Sequence, residues 1–437
     1  MKDRFMNSML AAATKLNNNR YLSAIRVAFA EMIPIIIVGS FCTLFSNVIC
    51  TTTEGYFSLA NVPGFSWLAV FKPLFTAANY ATMNMLAIGI VILLSAKVAE
   101  SYGNHDKVVP ITALAAFVSL CGTSATAIAA ESGESVTIAN VLASRYTSAQ
   151  GLFVCMLAAI ASTLIYIRLV NSGKFKIHMP DSVPPNIARS FEVLFPVSIT
   201  ILVISTVGFV FTYAFKLTLF EAISKFIQAP LTNIMTGLPG YLVVVFIIVL
   251  LWVFGIHGTQ TLKAITEPVL LAAFAENEAA WAAGEPIPNI INRPFLSNFT
   301  TLTGAGVTGG LIIAILVFSK RDDYRSIAKL GIPCGIFNIN EPVVFGLPIV
   351  MNPILAIPFM LTPVVTSIFA YFMTSIGFCA KLVVNAPWTT PLGLEAFISS
   401  GGNFGAVITQ LLCVVISFLI YSPFVIMANK QKVEGND

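Results

Sequence analysis

The chain has 437 residues, 57% of them hydrophobic and 10% charged, with a formal net charge of +4 and a mean hydropathy of +0.86. Soluble globular proteins carry about 25% charged residues, so this composition excludes a soluble domain and predicts a polytopic membrane protein. It holds no basic stripe with interleaved aromatics, which excludes a nucleic-acid role. Residues 1–30 show no signal-peptide pattern, so nothing there reads as cleavable.

A membrane-spanning helix needs about 20 apolar residues. In chain order, candidate spans lie near residues 27–50, 74–96, 108–127, 149–170, 191–215, 238–256, 299–319, 354–378 and 403–428. Residues 258–280 carry Lys263, Glu267 and Pro268, and read either as a crossing or as a re-entrant segment. Counting that segment gives an all-α polytopic membrane protein of about ten transmembrane helices, with 331–350 as a re-entrant hairpin. Residues 1–25 and 217–236 alternate apolar and polar positions and read as interfacial amphipathic helices. The second of these divides the chain into an N-terminal bundle, 1–216, and a C-terminal half, 217–437.

Charge supports this topology. With both termini inside, the outer segments hold Lys72, Arg145, Lys216, Lys225, Arg293 and Lys381, and the rest of the 24 Lys and Arg fall inside. That asymmetry follows the positive-inside rule. Seven cysteines, Cys42, Cys50, Cys121, Cys155, Cys334, Cys379 and Cys413, sit among apolar residues without CxxC spacing. They read as small hydrophobes, with no disulfide and no metal site expected. No cofactor is expected either. GAGVTGG at 304–310 matches the dinucleotide pattern GxGxxG, but no strand precedes it and no acidic residue follows at the required distance. Small residues there allow close helix approach instead.

The chemistry-bearing residues cluster in the second half. Glu341 is a carboxylate inside GIPCGIFNINEPVVFGLPIVMNP, an apolar stretch broken by Gly and Pro. Bilayers penalise such a residue unless it faces a polar pathway, and broken helices are tolerated beside wet cavities. Asn340 adds an amide that both donates and accepts, which suits a polyhydroxylated ligand. The bland alternative for Glu341 is a carboxylate bonded to free backbone N–H groups. His257, in FGIHGTQTL, reads as a partner for a substrate hydroxyl or as the cap of a helix end. Trp252 and Trp388 offer aromatic faces to sugar rings, or serve as interface-belt aromatics. Glu267 has the same Glu-Pro pairing as Glu341 among less polar neighbours.

GIHG at 255–258, NEPVVFGLP at 340–348 and PWTTP at 387–391, with MIPIIIVGS at 32–40 near the start, resemble the permease (IIC) subunit of bacterial phosphotransferase systems, in the lactose, cellobiose and diacetylchitobiose family. The resemblance runs through the chain in motif order and spacing. It implies a homodimer in the bacterial cell membrane, with dimerisation in the N-terminal half and sugar binding in the C-terminal half. It places His257 and Glu341 at the sugar's C6 hydroxyl; by residue type, Asn340 is expected to bond hydroxyls, Trp252 and Trp388 to stack on rings, and Glu341 or His257 to assist phosphate transfer. It also implies separate cytoplasmic IIB and IIA partners, the phosphoryl donor being a phosphocysteine of IIB. The alternative from another class is a proton-coupled secondary sugar transporter with Glu341 as proton carrier. No HExxH or GxSxG pattern supports a membrane-embedded hydrolase.

Overall fold

The computed structural model describes residues 15, 18–52, 58–128, 135–177, 179–180, 182–347, 349 and 352–429; of Pro185, Asn186, Glu341 and Pro353 it describes the backbone alone. The amphipathic segment expected at 1–25 therefore lies largely outside the described residues. By internal contacts the chain forms two compact units, one of Asn18–Ile36 and Tyr80–Leu231, the other of Ile37–Asn79 and Thr232 onward. Long helix α1 (Arg20–Leu44) contributes to both.

The first unit is built on α3 (Leu86–Glu100), α4 (Val108–Val118), α5 (Leu152–Ser172) and α7 (Leu194–Phe215), which pack on one another; α2 (Lys72–Thr82) precedes them in the chain and α6 (Pro185–Glu192) leads into α7. Ala87, Ile90, Val91, Leu94 and Val98 of α3 recur at helical spacing and are buried, as an amphipathic stripe requires. Ala113 and Ala116 of α4 and Ala158 and Ala159 of α5 are also buried, and side chains this small let helices approach closely. Leu202, Phe209, Tyr213 and Phe215 of α7 stay exposed, as expected of residues facing lipid.

The apolar run at 108–127 is not one span. Its helix stops at Val118, and strands β1 (Ser124–Ile128) and β2 (Ser135–Ala139) pair antiparallel from Ser124↔Ala139 to Ile128↔Ser135. The Thr and Ile of both strands and the Val of β2 are β-branched and favour extended backbone. This hairpin is an addition to an otherwise helical fold.

At the end of the first unit, α8 (Leu219–Ile223) runs through a π-helical turn into α9 (Ala229–Thr236), within which the second unit resumes at Thr232. The amphipathic segment read at 217–236 is thus helical. Beyond it come α10 (Leu238–Val253), α11 (Gly258–Ala283), α12 (Gly309–Phe318), α13 (Asp322–Ile336), α14 (Glu341–Gly346), α15 (Pro353–Ser375), α16 (Leu394–Ser399) and α17 (Phe404–Ala428). Residues 258–280 form continuous helix rather than a broken pair. α13 and α14 fold back on each other around the turn at 337–340: a Cβ on Gly331 would meet Val343, and one on Gly346 would meet Ile327.

The span expected at 299–319 is corrected by the structure. Only Gly309–Phe318 is regular α-helix, and residues 301–308 turn irregularly through left-handed Thr303, Gly304, Gly306 and Val307. Composition made the segment apolar, but backbone handedness stops it from being a continuous helix. Six helices, Arg20–Ile49, Ser66–Glu100, Ala149–Ser172, Ile187–Phe215, Ile354–Ser375 and Phe404–Ala428, are long and apolar enough to cross a membrane among the described residues.

Candidate functional site

The irregular loop at 301–308 poses a physical problem, because backbone groups without partners are costly inside a membrane protein. Side chains from other segments solve it. Tyr421 donates to Gly306 O (2.9 Å), Ser417 to Val307 O (2.6 Å) and Asn340 Nδ2 to Ala305 O (2.7 Å). Asn340 Nδ2 also reaches Thr308 Oγ1 at 3.0 Å. Gly304, at φ +92°, lies so close to Asn340 that a Cβ there would sit 2.1 Å from Asn340 Cγ. The glycine-rich motif that mimicked a nucleotide loop therefore makes room for Asn340.

Asn338 ties the same turn to the loop carrying Trp388. Its Oδ1 accepts from Thr303 N at 2.6 Å. Its Nδ2 faces Trp388 O (2.8 Å), Thr390 O (3.3 Å) and Glu395 Oε2 (3.1 Å). Leu392 N donates to Ile336 O at 3.1 Å, closing the loop on the turn. Three motifs far apart in sequence, 303–308, 336–341 and 388–395, thus meet. Glu341 opens α14 directly after Asn340, and its side chain lies outside the described residues.

His257 caps α11: its Nδ1 accepts from Gln260 N at 3.3 Å. The capping alternative weighed from the sequence is therefore realised. An Nδ1 that accepts leaves the proton of a neutral imidazole on Nε2, the nitrogen that can donate. The His257 ring lies 4.2 Å from the Trp252 ring, which in turn is 6.4 Å from Phe345 of α14. Trp252 is 3% exposed, and its indole Nε1 is buried without an acceptor among the described residues. Trp388 is 47% exposed. Trp252 thus offers an unused donor, and Trp388 an open face. Asn340 is buried and committed to the 305–308 loop.

Sequence reasoning missed several polar residues of this region. Arg293 Nε bonds both oxygens of Glu267 at 3.1 Å, a largely buried pair. Asn298 Nδ2 donates to Ser399 Oγ (3.1 Å), and Gln410 links Asn298 to Gly393 N (2.7 Å). Glu395 was the findable one, an acid between the apolar residues of PLGLEAF.

The model of the family described as "Phosphotransferase system, EIIC" matches residues 26–363. The chain belongs to that family and is a multi-span membrane permease for sugars. It is 34% identical over 426 residues, 97% of this chain and 93% of the relative, to the oligo-beta-mannoside-specific EIIC component of Bacillus subtilis (strain 168). It is 31% identical over 442 residues to the cellobiose-specific EIIC component of Geobacillus stearothermophilus, covering 98% of this chain and 95% of that one. The solved structure of ChbC, the IIC component from the N,N'-diacetylchitobiose-specific phosphotransferase system, superposes with a TM-score of 0.87 at 33% identity over 97% of this chain and 96% of ChbC.

Proposed function

We propose that this permease binds an external β-linked disaccharide between the 252–257 segment, the 338–341 turn and the 388–395 loop, and presents its C6 hydroxyl to a cytoplasmic IIB phosphocysteine. The observation that carries the reading is the convergence of the turn and the Trp388 loop through Asn338. Relatives named for oligo-β-mannoside, cellobiose and diacetylchitobiose share β-linked sugars, which supports a β-linked substrate. His257 Nε2 and the Trp252 indole N–H would donate to hydroxyls, while Trp388 would stack on a ring. In the transfer step the C6 oxygen attacks phosphorus: an O–P bond replaces the S–P bond, and the hydroxyl proton passes to a base. We assign that base to Glu341, with His257 assisting as a donor through Nε2. The charged product then no longer fits a neutral-sugar site.

Around this core, residues 1–216 would supply a dimer interface and 217–437 the transport half, with both termini cytoplasmic in a bacterial inner membrane. Of the basic cluster at 320–329, Arg321 pairs with Asp323 and Arg325 bonds Leu316 O and Ser319 O. Docking of IIB would therefore rest on Lys320 and Lys329.

Calorimetry of purified protein against cellobiose, diacetylchitobiose and a β-mannobiose identifies the sugar. Vesicle uptake tests the mechanism. Sugar phosphate should appear inside only with phosphorylated IIB, and Glu341→Gln should cut uptake by at least tenfold. Uptake without IIB that collapses on adding an uncoupler would instead establish the proton-coupled alternative.

A further inference from the structure

Glu395 is the second residue of α16, and its side chain is fully buried. Nothing in the proposed transfer step uses it. Among the described residues it makes no salt bridge; Arg293, already paired with Glu267, is the charged group whose field reaches it. Glu395 hydrogen-bonds Ser297 and Asn338, and Asn338 is an unusual residue. It holds φ +62°, a left-handed conformation that asparagine tolerates better than most side chains but that still needs support.

The orientation of the Asn338 amide is decided by its surroundings. On one side the Thr303 N–H requires an acceptor. On the other, three oxygens, of Trp388, Thr390 and Glu395, require a donor. A flipped amide would set an N–H against an N–H and an oxygen against three oxygens, so one orientation is selected. Two of those three acceptors are backbone carbonyls of the loop, those of Trp388 and Thr390. Glu395 is the side-chain acceptor among the three, held in the first turn of α16 where the loop ends.

We infer that Glu395 is a positioning residue for sugar binding: through Asn338 it sets the spacing between the Trp388 loop and the turn bearing Asn340 and Glu341. The inference rests on the reading of that region as the sugar site. Glu395 does not contact the sugar. It fixes the amide that fixes the two surfaces between which the sugar fits, so its loss should act on affinity rather than on the rate of the bound complex.

Two substitutions separate an acceptor from mere bulk. Glu395→Gln keeps an acceptor oxygen, whereas Glu395→Leu keeps comparable volume and removes it. With cellobiose, diacetylchitobiose and β-mannobiose as probes, Glu395→Gln should stay within threefold of the wild-type Kd, and Glu395→Leu should bind the accepted sugar at least tenfold more weakly. In vesicles containing phosphorylated IIB, Glu395→Leu should raise KM by a similar factor with Vmax within twofold. Adding Asn338→Ala to Glu395→Leu should cost no further affinity than Asn338→Ala alone, because both act through one amide. Equal loss in the Gln and Leu variants, accompanied by a fall in the sugar-free melting temperature, would show a purely structural role and overturn the inference. So would wild-type affinity in Glu395→Leu. Wild-type protein that binds none of the three sugars overturns the reading of the site itself, and the inference with it.

Discussion

Two regions of the molecule bury polar side chains in different ways. In α4, α5 and α7, these hydroxyls fold back on their own helices: Thr112 donates to Val108 O, Ser162 to Ala158 O and Thr200 to Pro196 O. Each bond spans four residues and joins nothing to anything else. In the region from 293 to 410, Asn298, Asn338, Asn340 and Gln410 bond across roughly 30 to 110 positions of sequence. The first arrangement satisfies a polar atom inside a regular helix. The second replaces regular structure, because its segments have surrendered their own backbone pairing. A transporter needs some backbone outside helices to line a polar path, and cross-segment amides make that backbone tolerable.

Breaking the cross-segment bonds should therefore hurt far more than breaking the local ones. The largest effect is expected from Arg293→Met, which leaves Glu267 buried without its cation; this should cost about 3–5 kcal/mol, and adding Glu267→Gln should recover much of it, as read by melting of detergent-solubilised protein. Gly304→Ala comes next. Its Cβ would collide with Asn340, and its φ of +92° disfavours any side chain, so a loss of roughly 1–3 kcal/mol with weakened sugar binding is expected.

The first unit offers a pH-dependent contrast. Burial pushes the Asp106 carboxyl up, but the Tyr166 hydroxyl, the Val108 N–H and Arg189 together outweigh it and hold the group below its usual 3.8. A depressed carboxylate stabilises the fold above its unfolded value and loses that contribution as pH falls through the folded one. Arg189 is more than half exposed, so solvent screening limits the pair to under about 1 kcal/mol. Melting followed from pH 6 to pH 3 should fall less steeply in Asp106→Asn than in wild type. Ser162→Ala should be the mildest change, under about 0.5 kcal/mol. A Ser162→Ala loss as large as that of Gly304→Ala would break the contrast between the two regions.

How much of this was legible beforehand follows the same divide. Long apolar runs such as 149–170 and 403–428 appear as α5 and α17, since hydropathy reads what a regular helix shows to lipid. The segments at 108–127 and 299–319 misled because hydropathy averages composition. It does not register that Thr303 and Val307 adopt left-handed backbone, nor that Ser124–Ile128 pairs with a second strand. The motifs around His257, Asn340 and Trp388 stood out by residue type. Arg293 did not, because alone it reads as an outer-loop cation. Its partner lies 26 positions away, and only a folded chain reveals the pairing.

That pairing also bears on how the protein is made. A helix carrying Glu267 leaves the ribosome well before Arg293, and a lone carboxylate partitions poorly into lipid. Once Arg293 emerges, the two charges neutralise each other within one short stretch of chain. The prediction is that the stretch from α11 to the start of the glycine loop inserts as a unit; membrane integration of ribosome-stalled chains ending before and after Arg293 would test it.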